Sequence, residues 1–311
     1  MSGTGQQAQH GARRRPGSAQ AGPSDVFVLD FDGVLVDSEP EISTAGLLAA
    51  SAYWPELFRG LDAERRAAIV RNLKLTRPVL IKGFETMIMA RLLLEDPACV
   101  DRILSNWDEV LSQALADWGL QQNMVVAWFG GFRKGLYLKH KDLWVRGNQL
   151  YPGILDAVKQ CPYPFYIASS KGEERLVNLL QNLLGLDIQQ GSPRIFAELL
   201  PPNERKIESL RTIQTRLDQR ALQTGGKPPR LHFIDDRVET MLAVQQQPDL
   251  KSLQLYVADW GYNTPAELTA AKAAGLRVIG RPQFCELLKW GLLMEVDDGC
   301  EPTSDEVAAG V

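Results

Sequence analysis

The run VFVLDFDGVLVDSEPE, residues 26–41, sets Asp30 and Asp32 at the exit of four apolar residues and follows them with Asp37, Glu39 and Glu41. Carboxylates this close repel one another, and keeping them ionised beside an apolar core is costly. A bound divalent cation would offset that cost. Two further stretches have the same form, an apolar run ending in chemically competent side chains. FYIA leads into Ser169-Ser170-Lys171-Gly172, whose hydroxyls and backbone amides suit an anion at a helix N-terminus. LHFI leads into Asp235-Asp236. If the three tips meet, carboxylates from two of them make an oxygen-only site suited to Mg²⁺, with an anion site beside it.

Each stretch also has a plain structural explanation. Acids commonly follow strands in turns. Ser170 can cap a helix that carries Glu173 and Glu174 in its first turn. Asp235-Asp236 can start a helix, where the dipole favours negative charge. Their order, each behind an apolar run, is what favours a shared site.

The elements that must carry these tips are legible as patterns. Val26–Leu29 reads as a buried strand. Within residues 41–149, Leu80, Phe84, Ile88 and Leu92 recur at helical spacing, as do Ile103, Trp107, Leu111 and Leu115. Pro55, Pro78, Pro97 and Gly130-Gly131 punctuate the run. Several antiparallel helices of about 15 residues fit this stretch. Beyond Tyr151-Pro152-Gly153, strands are expected over residues 163–168, 231–234, 253–258 and 277–279. Helices are expected over 173–184, 204–217, 238–246 and 265–274. Alternation of this kind gives a parallel sheet covered by helices, which binds ligands at the carboxyl ends of its strands. The expected architecture is α/β: a Rossmann-like parallel sheet core of residues 25–40 and 150–291, with an α-helical cap, residues 41–149, inserted after the first strand.

The ends differ. Residues 1–24 contain no acid, three consecutive arginines and mostly Gly, Ala, Ser and Gln. They read as a disordered tail or as an organelle transit segment, so the expected location is chloroplast or cytoplasm. Residues 292–311 read as an acidic, solvated tail. The chain of 311 residues, 45% apolar with net charge -4, can bury a real core and gives no support for a nucleic-acid or membrane-surface role. No run approaches the roughly 18 apolar residues of a spanning helix. Cys99, Cys161, Cys285 and Cys300 are far apart and match no zinc spacing, and His10, His140 and His232 are isolated. A reduced compartment, a small-molecule partner and a monomer or homodimer are the expectations.

LDFDGVLVDSE resembles the first motif of phosphatase-type members of the haloacid dehalogenase superfamily. IASSK is similar to the second motif, Lys206 in NERKIESL to the third and HFIDDR to the fourth. TRPVLIKGFETMIMARLLLE and WGYNTPAE are similar to a little-characterised group of that superfamily from plants, algae and cyanobacteria. The resemblance runs from about Asp25 to Trp290. It implies that Asp30 attacks phosphorus to form an aspartyl-phosphate, while Asp32 protonates the leaving oxygen and then activates water. It implies a Mg²⁺ ion held by Asp30, the Asp32 carbonyl, Asp235 and Asp236. Ser169, the Ser170 amide and Lys206 would hold the phosphoryl oxygens. Lys171 and Lys227 are alternatives to Lys206.

A small phosphorylated metabolite is then the expected substrate of a Mg²⁺-dependent phosphatase. A phosphomutase and a catalytically weak binding or regulatory protein are the alternatives. A true dehalogenase is disfavoured, since its chemistry needs no proton donor at Asp32. The insert is expected to be a mobile lid, with Arg77, Lys82 and Arg91 as candidate readers of an anionic leaving group. Asp37, Glu39 and Glu41 read as a solvated hinge and helix start. Glu239 reads as a partner of the site or as a helix first-turn acid.

Overall fold

The computed structural model describes residues 24–293. The expectations for residues 1–23 and 294–311 lie outside the described residues. β1 (Asp25–Leu29) is followed by β2 (Val36–Asp37) and then by eight helices. These are α1 (Glu39–Tyr53), α2 (Pro55–Phe58), α3 (Ala63–Thr76), α4 (Glu85–Glu95), α5 (Val100–Ser105), α6 (Trp107–Asp117), α7 (Gln122–Lys139) and α8 (Lys141–Arg146). The chain returns through β3 (Gln149–Leu150) into α9 (Ile154–Gln160), β4 (Phe165–Ala168), α10 (Glu173–Leu184) and β5 (Ile195–Phe196). It ends with α11 (Pro202–Thr224), β6 (Arg230–Asp235), α12 (Val238–Gln245), β7 (Gln254–Ala258), α13 (Pro265–Ala273), β8 (Arg277–Ile279) and α14 (Arg281–Trp290).

The main sheet has the order β5-β4-β1-β6-β7-β8 and every pairing in it is parallel. β1 lies inside the sheet and is apolar on both sides, as parallel strands covered by helices must be. Phe27 and Leu29 join a core with Ile154 of α9, Leu179 of α10 and Phe284 of α14. Val26 and Val28 face the opposite way and join Leu210 of α11, Met241 of α12 and Ala271 of α13. Register is thus fixed by period-two burial on both faces. Local signals agree with the fold where they are strong. Thr264 and Glu267 form a reciprocal capping box at the start of α13, with Pro265 at its first position.

Helices α1–α7 gather around a separate apolar cluster that includes Ile42, Leu73, Phe84, Ile88 and Trp107, while Tyr137 of α7 and Trp144 of α8 pack into the core of the sheet. They join the sheet through β2 and β3, which pair antiparallel as Val36 with Leu150 and Asp37 with Gln149. The two crossings between the insert and the sheet are therefore zipped together. The expected helix length does not hold, since the helices here run from 4 to 18 residues. The Ile103–Leu115 pattern is split at Asn106, whose φ of -155° is extended, into α5 and α6. All four patterned residues are buried even so. Periodicity reports which side is apolar, not whether the backbone is continuous. No described helix is long and apolar enough to cross a membrane.

Candidate active site

The three tips meet. β4 and β6 flank β1, so the ends of all three lie side by side. Asp30 is buried just beyond β1, its N–H bonded to Ile234 O of β6 at 2.9 Å. After Phe31 the chain turns at Asp32-Gly33, with Gly33 N donating to Val36 O and Val36 N to Phe31 O. Gly33 has φ +89°, and a Cβ there would stand 2.2 Å from Asp236 Oδ2. A Cβ on Gly261 would stand 2.2 Å from Asp236 Cβ. Two glycines thus make the space in which the Asp236 carboxylate lies.

One ligand atom from each of Asp30, Asp235 and Asp236 falls within 4.8 Å of the others, and all three residues are buried. Lys206, in the first turns of α11, places Nζ 2.6 Å from Asp235 Oδ2 and 3.1 Å from Asp30 Oδ2. Asp235 Oδ1 accepts from Arg237 N at 2.9 Å, and Asp236 Oδ2 from Tyr262 N at 2.6 Å. Asp236 Oδ1 has no partner. Two of the three carboxylates, Asp30 and Asp235, thus share one ammonium, and Asp236 has none in contact. Burial, together with Asp235, Asp236 and Asp32, drives the Asp30 carboxyl well above the usual carboxylate range despite Lys206. Burial and then Asp235 push Asp236 up to about 6. Lys206 is held charged: burial works against it, and the carboxylates outweigh burial. An oxygen-only donor set with an unpartnered buried oxygen fits a hard divalent cation, which would hold these carboxylates ionised.

Asp32 has different neighbours. Lys171 Nζ stands 3.1 Å from its Oδ1, an ion pair in which that oxygen has no aligned hydrogen-bond donor. Burial alone would raise the Asp32 carboxyl, but Lys171, Ser38 and Arg77 outweigh it and hold it below the usual range. Ser169 is buried at the end of β4, and its Oγ accepts from Lys171 N at 3.2 Å. Ser170 lines the cavities above the tips and does not cap α10, which begins after Gly172 without a side-chain cap.

A cavity of about 620 Å³ opens over the tips and is lined by Asp30, Asp32, Lys206 and Asp236 of the sheet side and by Arg77 and Lys82 of the helical block. The Arg77 guanidinium lies 3.6 Å from the centroid of the Tyr262 ring. Arg91 lies elsewhere: it pairs with Glu95 at 2.7 Å and stacks 3.9 Å from the centroid of the Trp118 ring. Lys227 is exposed in a loop and far from burial, unlike Lys171 and Lys206. Glu239 lies in the first turn of α12, lines the cavity and accepts from Asn203 Nδ2 at 2.8 Å.

The expectation of a solvated hinge is overturned. Glu39 and Glu41 are buried, and Glu41 forms a two-pronged ion pair with Arg133 of α7. Asp37 accepts from Glu39 N and from the Tyr262 hydroxyl. Their partners are remote in sequence, so local composition carried no trace of them. Lys171, an alternative to Lys206 in the sequence, stands instead beside Asp32. Arg133 and Tyr262 are the site residues to which the sequence assigned no role, although Tyr262 lies within WGYNTPAE.

No protein-family model matches the chain, and no curated protein matches it. A solved structure of a predicted phosphatase from Clostridium acetobutylicum superposes with a TM-score of 0.50 at 15% identity, over 86% of this chain and 97% of that one. The chain shares the fold of that structure. A haloacid dehalogenase-like hydrolase from Streptococcus pneumoniae is 17% identical over 86% of this chain and 98% of its own, with a TM-score of 0.48. A predicted phosphoglycolate phosphatase from Haemophilus somnus is 15% identical over 86% and 97%, with a TM-score of 0.47. At such identities the correspondence is one of fold.

Proposed function

We propose that the protein is a Mg²⁺-dependent phosphatase that hydrolyses a small phosphomonoester through an aspartyl-phosphate. The observation that carries this reading is Lys206 Nζ set between Asp30 and Asp235, beside the unpartnered Asp236 Oδ1, at the floor of a cavity. Asp30 is the nucleophile, and Asp30, Asp235, Asp236 and the Asp32 carbonyl hold the metal. When bound, Mg²⁺ screens the phosphoryl oxygens from the Asp30 carboxylate. Ser169, the Ser170 amide and Lys206 hold those oxygens, which places fixed positive charge where charge develops.

Attack by Asp30 breaks the bond to the leaving oxygen, which takes its proton from Asp32. A water then gives a proton back to Asp32 and attacks the aspartyl-phosphate, releasing phosphate and restoring Asp30. Lys171 favours the ionised form of Asp32, which the second step needs. A phosphoryl dianion arriving alongside opposes that and favours the protonated form, which the first step needs. The helical block, residues 41–149, acts as the cap that closes over the intermediate.

Phosphate release from a panel of small phosphoesters tests the reading. Turnover is expected with Mg²⁺ and its loss with EDTA. Folded protein that releases no phosphate from any member, or releases it equally in EDTA, would sink it. A phosphomutase would move label to an acceptor hydroxyl instead of into free phosphate.

A further inference from the structure

A second cavity of about 330 Å³ runs on from the first between the helical block and α10, and the two share Asp32, Arg77, Lys82 and Ser170 in their walls. The part beyond the shared wall is lined by Arg133, Lys171 and Arg175 against the apolar side chains of Ile42, Val126 and Phe129. The cavity therefore gathers five cationic side chains and a single carboxylate, Asp32.

The ionic accounts of these groups differ. Lys171 is paired with Asp32, and Arg133 is fixed by Glu41 from outside the cavity wall. Arg175, in the first turn of α10, makes no hydrogen bond or ion pair among the described residues, and neither the Arg77 nor the Lys82 side chain is within ion-pair distance of a carboxylate among them. Arg175 is half-buried, and burial with the nearby Arg133 guanidinium lowers its pKa. Like charges held together in a partly dry space are unfavourable unless an anion joins them. On the phosphatase reading the phosphoryl group sits by Lys206 at the floor of the other cavity, away from Arg133 and Arg175, so a different anion is needed here. The guanidinium forks of Arg133 and Arg175 suit a planar or tetrahedral oxyanion.

We propose that the substrate's leaving group carries a second anionic group, a carboxylate or a phosphate, on a short carbon skeleton. That group is seated by Arg175 and Arg133, with the skeleton against Ile42 and Phe129. The proposal rests on the phosphatase reading and names the substrate class of the same site.

The test uses three phosphomonoesters of one short carbon chain, ending in a hydroxyl, a carboxylate or a second phosphate. Wild-type kcat/KM is expected to favour one acid-ended member over the hydroxyl-ended one by about ten- to a hundred-fold, the usual worth of a charge-assisted contact. Whichever acid is preferred identifies the second group. Arg175→Ala is expected to shrink that preference by at least about ten-fold, chiefly through KM, and Arg175→Lys to restore part of it. Equal kcat/KM for all three esters, or an Arg175→Ala loss shared equally by all three, overturns the proposal. Calorimetric binding of the same esters to Asp30→Asn separates the two readings. A preference for the acid-ended ester that Arg175→Ala removes there supports the second subsite even if wild-type protein hydrolyses none of them. No preference in binding or turnover overturns it, and thermal unfolding confirms that each variant is folded.

Discussion

β1 has an aspartate at each end, and the two are treated in opposite ways. Asp25, at its start, is 1% exposed and fully partnered. Arg230 Nε donates to it at 2.8 Å, Ser24 Oγ at 2.6 Å, and His232 Nε2 lies at 2.9 Å. Burial would raise this carboxyl, but Arg230, Ser24 and His232 outweigh burial and hold it low. Asp30, just past the other end, is 5% exposed and shares its one lysine with Asp235, with Asp236 close by. It is driven high. The same side chain on the same strand is a settled ion at one end and an unsettled one at the other. Both are nearly closed to solvent, but Asp30 lies deeper and has the poorer supply of donors. A buried acid with all its donors is consistent with a fastening, and a buried acid short of positive charge marks a place where a ligand belongs.

The largest expected consequence of this asymmetry is on turnover. Asp30→Asn is expected to lower kcat by several orders of magnitude with no loss of stability, because it removes one of three mutually repelling carboxylates. Asp25→Asn should leave kcat within a few-fold. Near-wild-type turnover by Asp30→Asn would break the contrast outright.

Stability should respond the other way round. Asp25→Asn removes the charge that the exposed Arg230 and the buried His232 are bonded to, and a hydrogen bond to a charged group contributes about 1.5–3 kcal/mol. Chemical denaturation measures this, and a midpoint unchanged from wild type would show that Asp25 is no fastening. A smaller effect sharpens the acidic end. Mg²⁺ at 100 times its dissociation constant should stabilise the fold by about 2.7 kcal/mol. Asp236→Asn should abolish that gain; a thermal shift that persists in the variant would place the cation elsewhere.

The smallest effect is a pH dependence at the settled end. Burial holds the His232 pKa below 6.5, with Asp25 opposing. The folded state then binds fewer protons than the unfolded one between the two values, so the His232 contribution is complete above pH 6.5 and is lost as pH falls toward the folded value. Asp25, also lowered, keeps its contribution above pH 3.8 and loses it at still lower pH. Unfolding free energy measured from pH 8 down to pH 5 should fall less steeply for His232→Gln than for wild type. Parallel curves would remove His232 from the network.

The acidic end was legible in the sequence because its groups come in short runs tied to strand tips. DFDG and SSK each follow four apolar residues and Asp235-Asp236 follow LHFI, and a parallel sheet brings such tips together whatever lies between. The settled end was not legible. Asp25, Arg230 and His232 meet only because β1 and β6 are neighbours in register, Asp25 opposite Arg230 and Phe27 opposite His232. In the sequence, His232 is only an isolated histidine in an expected strand. The helical block was half legible: apolar spacing marked Phe84, Ile88 and Trp107 as buried, but not the break at Asn106. Arg91 shows the limit most plainly. A cationic side chain in a helix looks the same in sequence whether it faces a cavity, as Arg77 does, or two indole rings. Strands β2 and β3 are two residues each, too short for any alternation to show.

That short ladder has a polymer consequence. The helical block leaves at Asp37 and returns at Gln149, residues that face each other across one antiparallel pair. To the sheet, the whole block is a loop already closed, and loop-closure entropy grows only logarithmically, about 0.6 kcal/mol for each doubling of length. A longer, shorter or different set of helices fits the same two-residue socket without shifting β1 against β4 or β6. The groups at the strand tips can stay in place while the structure above them is exchanged.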